Sequence, residues 1–135
     1  YEFDTLLTTF NPTKERRAYE EVLLPVACKQ NLGIIAMKIM GGTPKYNRVG
    51  TEGLPGVLVG DGPGKASPDK LLRYALSLPV HVAVNGIYDH KQLKHNLGVC
   101  YNFQPLPEPE RRSLQVALHN SDVLLAYNKP DYTRA

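Results

Sequence analysis

The sequence predicts an α/β fold with a parallel sheet. Three apolar runs, at residues 5–10, 34–39 and 80–84, have the length and the β-branched content of strands. A segment with helical periodicity follows each run. This alternation is typical of βα units, in which right-handed crossovers set consecutive strands parallel. We therefore predict three consecutive βα units.

Two helices have clear signals at their N-termini. The helix after the second strand is expected to begin with Ser67 as its N-cap and Pro68 in its first turn. The helix after the third strand spans about residues 90–101, where Asp89 is the predicted N-cap and Gln92, three residues on, completes a capping-box pattern. A helix that opens directly off a strand end also attracts phosphate.

The other two predicted helices contain proline. The first begins near Pro12 and runs toward a stop at residues 31–33, and Pro25 is expected to kink it or to split it in two. The last lies near residues 110–120, because the proline-rich stretch 105–109 is expected to break regular structure before it.

Length, composition and charge narrow the class of protein. The 135 residues are 42% hydrophobic, which predicts one folded domain over residues 1–135. No apolar run approaches the roughly 20 residues that cross a bilayer, and residues 1–4 lack the layout of a secretory signal, so we expect no membrane partner and a cytoplasmic location. The net charge of +3 is scattered without interleaved aromatic residues, which argues against a nucleic-acid partner.

Cysteine and histidine give no sign of a metal or redox site. Cys28 and Cys100 stand far apart on predicted helices without C-x-x-C spacing, so we expect buried free thiols. His90 and His95 are five residues apart and therefore off a single helical face, and no H-E-x-x-H pairing occurs. No metal site is predicted.

A long glycine- and proline-rich connection spans residues 43–65, well beyond the usual length of a βα loop. Its end resembles a phosphate-binding loop, but Val59 and Ala66 stand where the Walker pattern needs Gly and Ser or Thr. Pro63 also removes a backbone donor. We interpret the segment as a flexible loop, in which Lys65 remains available to a phosphate as a point charge.

Three parallel strands alone form an incomplete sheet. They leave two unpaired edges and one apolar face uncovered, whereas parallel sheets are normally covered on both faces. The sequence therefore predicts a missing partner, either further βα units or another copy of the chain.

Four segments, taken in order, carry a family resemblance. Residues 3–12, 33–42, 72–79 and 80–97 resemble strands six, seven and eight, with their helices, of aldo/keto reductases of the bacterial predicted-oxidoreductase type. The resemblance implies that the chain holds the C-terminal three βα units of a (β/α)8 TIM barrel, incomplete here. It also implies NADP as the cofactor, with NAD as the alternative, and a small carbonyl substrate once the N-terminal half of the barrel is present.

The resemblance places the cofactor at two strand ends. Met37 would pack on the nicotinamide ring, and the residues after it would lie beside the pyrophosphate or ribose, while the turn and helix after the third strand would hold the adenosine. The cofactor-binding residues implied in this way are Met37, Lys38, Met40, Gly41, Gly86, Ile87, Tyr88, Asp89, Gln92, His95 and Asn96.

The chain departs from the family pattern at several positions. Leu7 replaces the glutamine that holds the nicotinamide amide, His95 replaces a glutamate, and Gln92 stands where many members have an arginine for the 2′-phosphate. The preference between NADP and NAD thus stays open. The family's catalytic Tyr, Lys, Asp and His belong to earlier strands, so no catalytic residue is assigned. A noncatalytic half-barrel that binds nucleotide or mediates assembly is the alternative.

Overall fold

The computed structural model describes residues 2–42, 56–119 and 121. Its three strands are β1 (Thr5–Thr9), β2 (Gly33–Met37) and β3 (Val82–Ala83), and they form a parallel sheet in the order β1-β2-β3. The predicted α/β class and the parallel sheet are confirmed. Residues 43–55, most of the predicted long connection, lie outside the described residues.

Helical segments connect and follow the strands. Helix α4 has the predicted bounds, and α3 begins at the predicted residue. In chain order the helices are α1 (Lys14–Ala18), α2 (Leu24–Lys29), α3 (Pro68–Leu76), α4 (His90–Tyr101) and α5 (Glu108–Ala117), with a π-helical segment (Tyr19–Leu23) between α1 and α2.

Pro25 does not split the first helical region in two. Leu23 and Leu24, directly before it, have helical φ and ψ, so α1, the π-helical segment and α2 follow one another without a break. The wider π turn lies directly before Pro25, whose backbone lacks the N–H that a regular α-helix would use. Helix α5 begins two residues earlier than predicted, and the prediction that Pro109 precedes it was wrong. Pro109 lies in the first turn of α5, where the backbone N–H that proline lacks would have no partner within the helix.

Both predicted N-caps are confirmed. The Ser67 hydroxyl accepts a hydrogen bond from the Lys70 backbone at 3.4 Å, and the Asp89 carboxylate accepts one from the Gln92 backbone at 2.8 Å. The Gln92 side-chain oxygen accepts from the backbone N–H of Tyr88 at 3.1 Å, one residue before the position that a capping box uses. Asp89 and Gln92 together fix the turn that leads into α4.

Strand β3 is shorter than the predicted run of residues 80–84, but its hydrogen bonding extends beyond two residues. The backbone of His81 donates to Ile34 at 2.8 Å, and that of Val84 donates to Ala36 at 2.7 Å. The His81 ring nitrogen Nδ1 accepts from the Ile34 backbone at 2.9 Å. The His81 side chain thus extends the hydrogen bonding between β2 and β3 at the residue before β3 begins.

One face of the sheet is covered and forms the core. In the register of the sheet Leu6 pairs with Ile34 and Ala36 pairs with Ala83, so these residues share a face. Ile34 and Ala36 are buried. The helical residues in the same core cluster are Leu24, Ala27, Leu71, Leu72, Tyr74, Ala75 and Leu114.

The opposite face of the sheet is open in the described residues. Leu7, Ile35 and Val82 are register partners on this face, and Val84 follows two residues after Val82. Leu7 is 54% exposed, Val82 49% and Val84 51%. Parallel strands normally have both faces buried, so this apolar surface lacks the cover that its residue types require.

A buried tyrosine joins three helical segments. The Tyr74 hydroxyl, on α3, donates to the Glu20 carboxylate and accepts from the Gln115 side chain of α5 at 2.9 Å. Burial, with a further contribution from the Glu20 hydrogen bond, raises the pKa of the Tyr74 phenol well above its usual range. Tyr74 therefore stays neutral and cross-links the helical layer.

The cysteines differ from the prediction of buried thiols. Cys28 and Cys100 are free, but both are exposed. None of the helices in the described ranges is long and apolar enough to span a membrane.

The first prediction concerns Tyr74. Tyr74→Phe removes the hydroxyl and leaves the Glu20 and Gln115 side chains without their partner, so the free energy of unfolding should fall by about 1 to 3 kcal/mol. Urea denaturation followed by circular dichroism measures it. Tyr101→Phe is the matched control, because Tyr101 is 85% exposed. An equal midpoint for both variants would contradict the cross-link.

The same variant has a signature at high pH. A raised folded-state pKa stabilises the fold at pH values below the unfolded pKa of about 10, and this contribution is lost as pH rises above it. Tyr74→Phe lacks this dependence. The stability difference between wild type and variant should therefore shrink above about pH 10.

The second prediction concerns the open face. We expect the purified chain to self-associate, because an uncovered apolar sheet face and two free edges favour association. Leu7→Glu places a charge in the middle of this face and should shift sedimentation toward the monomer. Val116→Glu, at an exposed position of α5, is the control. A monodisperse wild-type monomer at micromolar concentration would contradict the prediction.

Candidate functional site

A cleft of about 350 Å³ lies beyond the carboxyl end of β3, between the turn that follows this strand, the first turns of α4 and the start of α3. In parallel α/β sheets this end of the strands is where ligands bind. The residues that line the cleft are Met40, Pro68, Asn85, Gly86, Lys91, Gln92, His95 and Asn96.

Backbone hydrogen bonds fix the walls of this cleft. The bond from the Val84 backbone to Ala36, 2.7 Å long, anchors the end of β3 and so the position of Asn85 and Gly86. The Asp89 cap sets where α4 begins. Gln92 and Asn96, one helical turn apart, then face the cleft together, as their spacing predicts.

The polar lining consists of one lysine, one histidine and three side-chain amides, and none of the lining side chains is acidic. His95 lies at the edge, where its Nε2 is 2.5 Å from the Asp69 carboxylate of α3. Both side chains are about half exposed, so the pair orients the imidazole more than it stabilises the fold. Lys91 gives the lining a positive charge, which favours an anionic part on any ligand.

Asn85 has an unsatisfied donor. Its side-chain nitrogen Nδ2 is buried and has no hydrogen-bond partner in the described part of the chain. A buried polar group without a partner costs about 1 to 3 kcal/mol, so such groups are rare in folded proteins. The cleft wall therefore holds one amide donor that none of the described residues satisfies.

The cleft gathers part of the predicted cofactor-binding set. Met40, Gly86, Gln92, His95 and Asn96 line it. Met40 is also part of the core, with 4% of its surface exposed, so one side of it packs inward. These predicted residues come from two different strand ends and the helix after one of them.

Three predicted residues lie on the turn before α4 and do not line the cleft. Ile87 and Tyr88 are about half exposed, and Asp89 is used as the helix cap. These three residues form the turn that leads from β3 into α4. A contact of these side chains with cofactor stays a prediction.

The end of β2 is a tight, hydrogen-bonded turn. Met37 is its last residue and lies on the open face of the sheet with Leu7 and Ile35. Lys38 has a positive φ of 49°, and its carbonyl accepts from the Asn11 side chain at 3.1 Å and from the Gly41 backbone at 2.8 Å. This turn directs the chain from the open face into the core.

The two predicted glycines meet different constraints. At Gly41, a Cβ would come within 2.6 Å of the Val57 and Leu58 side chains, and φ is 85°, so packing and backbone conformation require glycine there. At Gly86, a Cβ would meet no atom within 4 Å. The space beside Gly86 is open toward the cleft, which leaves room for a ligand close to the backbone.

The glycine-rich loop before α3 does not form a nucleotide cradle in its described part. The Lys65 ammonium donates to the Val57 carbonyl, so it is directed back into the chain. A pocket of about 410 Å³ lies beside the loop, and its charged lining consists of two acidic and two basic side chains, Asp61, Glu110, Lys65 and Lys70. This balance of charge gives no preference for a phosphate there.

Four residues at the cleft were not predicted. Asn85 had one available signal, because it directly follows a strand at the carboxyl end of a predicted parallel sheet. Lys91 lies in the first turn of a helix that was predicted correctly. Pro68 and Asp69 were assigned to the start of α3, and only the tertiary packing of α3 against α4 brings them to this site.

No protein-family model, curated protein or solved structure matches this chain. Within the described residues no cluster of His, Cys, Asp or Glu has the arrangement of a metal site. The lining combines apolar surfaces from Met40 and Pro68 with three amides and two basic groups. This combination suits a flat, hydrogen-bonding heterocycle that carries an anionic group.

Proposed function

We propose that this chain is the C-terminal, cofactor-binding part of an NAD(P)H-dependent aldo/keto reductase barrel. The observation that carries the proposal is the cleft at the carboxyl end of the parallel sheet, where the turn after β3 and the face of α4 come together. Barrel enzymes place their sites at this end of the strands. The cleft would hold the adenosine half of the cofactor.

The open face of the sheet supports the barrel. In a closed barrel this face points inward and is covered by the remaining strands, which accounts for the apolar residues Leu7, Ile35 and Val82. The N-terminal βα units would supply this cover and the catalytic groups.

The chemistry of the complete enzyme would be carbonyl reduction. The cofactor supplies a hydride, and in the family a tyrosine with a neighbouring lysine protonates the carbonyl oxygen. No tyrosine of this chain is assigned that role. We therefore expect the chain alone to bind cofactor without oxidising NADPH in the presence of aldehydes or ketones.

A noncatalytic assembly module is the second candidate, and the exposed apolar face favours it. In that case another copy covers Leu7 and Val82, and the cleft binds nucleotide without hydride transfer. Combining the chain with a barrel half that carries the missing catalytic residues separates the two. Restored NADPH oxidation supports the reductase, whereas a persistent, inactive homo-oligomer supports the module.

The third prediction tests the helix face. Asn96→Ala should weaken NADPH binding by about 1 to 2 kcal/mol, the size expected for the loss of a buried polar contact. Titration calorimetry with the full chain measures the dissociation constant. Asn102→Ala is the control, because Asn102 lies at the end of the same helix and its side-chain amide donates to the Gly98 carbonyl. Equal NADPH affinity in both variants would contradict the proposal that the adenosine binds on this helix.

The fourth prediction concerns cofactor preference. Gln92→Arg places a guanidinium in the cleft, where it can hold a 2′-phosphate with two charge-assisted hydrogen bonds that a neutral amide cannot match. The ratio of NADH to NADPH dissociation constants should therefore rise. Gln104→Arg, at an exposed position outside the cleft, controls for added net charge. A ratio that changes equally in both variants would count against a 2′-phosphate at Gln92.

A further inference from the structure

We infer that Asn85, a residue outside the predicted cofactor-binding set, donates a hydrogen bond to the adenosine of the bound nucleotide. The inference rests on the proposed function, since it names a further residue of the same site. Its basis is the pairing of two observations: Asn85 lines the cleft, and its side-chain Nδ2 is buried without a partner.

The position of Asn85 fits this role. Asn85 follows Val84, whose backbone N–H donates a hydrogen bond to the Ala36 carbonyl. This bond fixes the Asn85 backbone at the carboxyl end of the sheet. Its side-chain amide turns about a terminal torsion that is broad and soft. A small rotation toward the cleft would therefore present the amide to a ligand without moving the backbone.

The chemistry of the neighbours indicates which part of the nucleotide Asn85 contacts. Gln92 and Asn96 present further amides, and Met40 and Pro68 offer apolar surface, whereas the basic groups Lys91 and His95 lie on the helix side. An uncharged acceptor on the purine or ribose suits an amide donor, and the phosphate suits the basic groups. Asn85 thus contributes to adenosine binding and not to phosphate binding.

Because the Asn85 amide has no partner in the described residues, its replacement should affect stability and nucleotide affinity in different ways. Removal of a buried polar group that has no partner does not lower stability when an apolar group of similar shape replaces it. Asn85→Leu should therefore keep or raise the urea midpoint of the free chain while it weakens nucleotide binding. Asn102→Leu is the matched control with the opposite sign, because the Asn102 amide donates to Gly98 at 2.9 Å and lies outside the cleft.

The experiment titrates the full chain with three probes: adenosine, adenosine 2′,5′-bisphosphate and inorganic phosphate. Asn85→Leu should raise the dissociation constants of adenosine and of the bisphosphate by the same factor, about fivefold to tenfold, and leave phosphate binding unchanged. Asn85→Asp keeps the size of the side chain but replaces its donor, so it should also weaken the binding of adenosine and of the bisphosphate. It covers the case in which the leucine variant fails to fold.

The outcomes separate the inference from the proposed function. Wild-type protein that binds neither adenosine nor the bisphosphate would overturn both. Wild-type protein that binds them with the same constants as Asn85→Leu and Asn85→Asp would overturn the role of Asn85 alone. A loss confined to the bisphosphate, or a lowered urea midpoint with unchanged affinity in Asn85→Leu, would also overturn it, because these results describe a phosphate contact or a purely structural amide.

Discussion

The fold depends on a parallel sheet of which one face is buried by its own helices and the other is exposed. On the covered face, Ile34 and Ala36 pack against helical residues, and the Tyr74 hydroxyl links the helices that form this layer. On the other face, Leu7, Val82 and Val84 remain about half exposed. The hydrophobic effect favours cover for such a surface, so further strands or a second copy of the chain would stabilise it.

The same sheet determines where chemistry can take place. Its parallel strands end together, and the chain leaves β3 through a short turn that the Asp89 cap converts into α4. This geometry turns Gln92 and Asn96 toward the start of α3 and leaves space beside Gly86. A cleft results from backbone topology, and its specificity then comes from few side chains. Among these side chains, Asn85 has a buried amide donor without a partner in the described part of the chain.

Local signals in the sequence predicted the local structure well. The strand positions, the Ser67 and Asp89 caps and the bounds of α4 follow from apolar runs and capping residues, which act over a few neighbouring positions. The early start of α5 was missed because a proline in a first turn was interpreted as a break. The exposed cysteines and the pairing of His95 with Asp69 depend on how helices pack, and no spacing in the sequence encodes that packing.

The central claim is that the cleft beside Gly86 binds the adenosine half of a nicotinamide cofactor. Two-dimensional amide NMR of the full chain, titrated with NADPH, tests it residue by residue. We expect saturable shifts at Gly86, at Asn85 and along the Gln92 and Asn96 side of α4, with little change in α5. Shifts concentrated at the loop around Lys65, or none at the cleft at saturating NADPH, would contradict it.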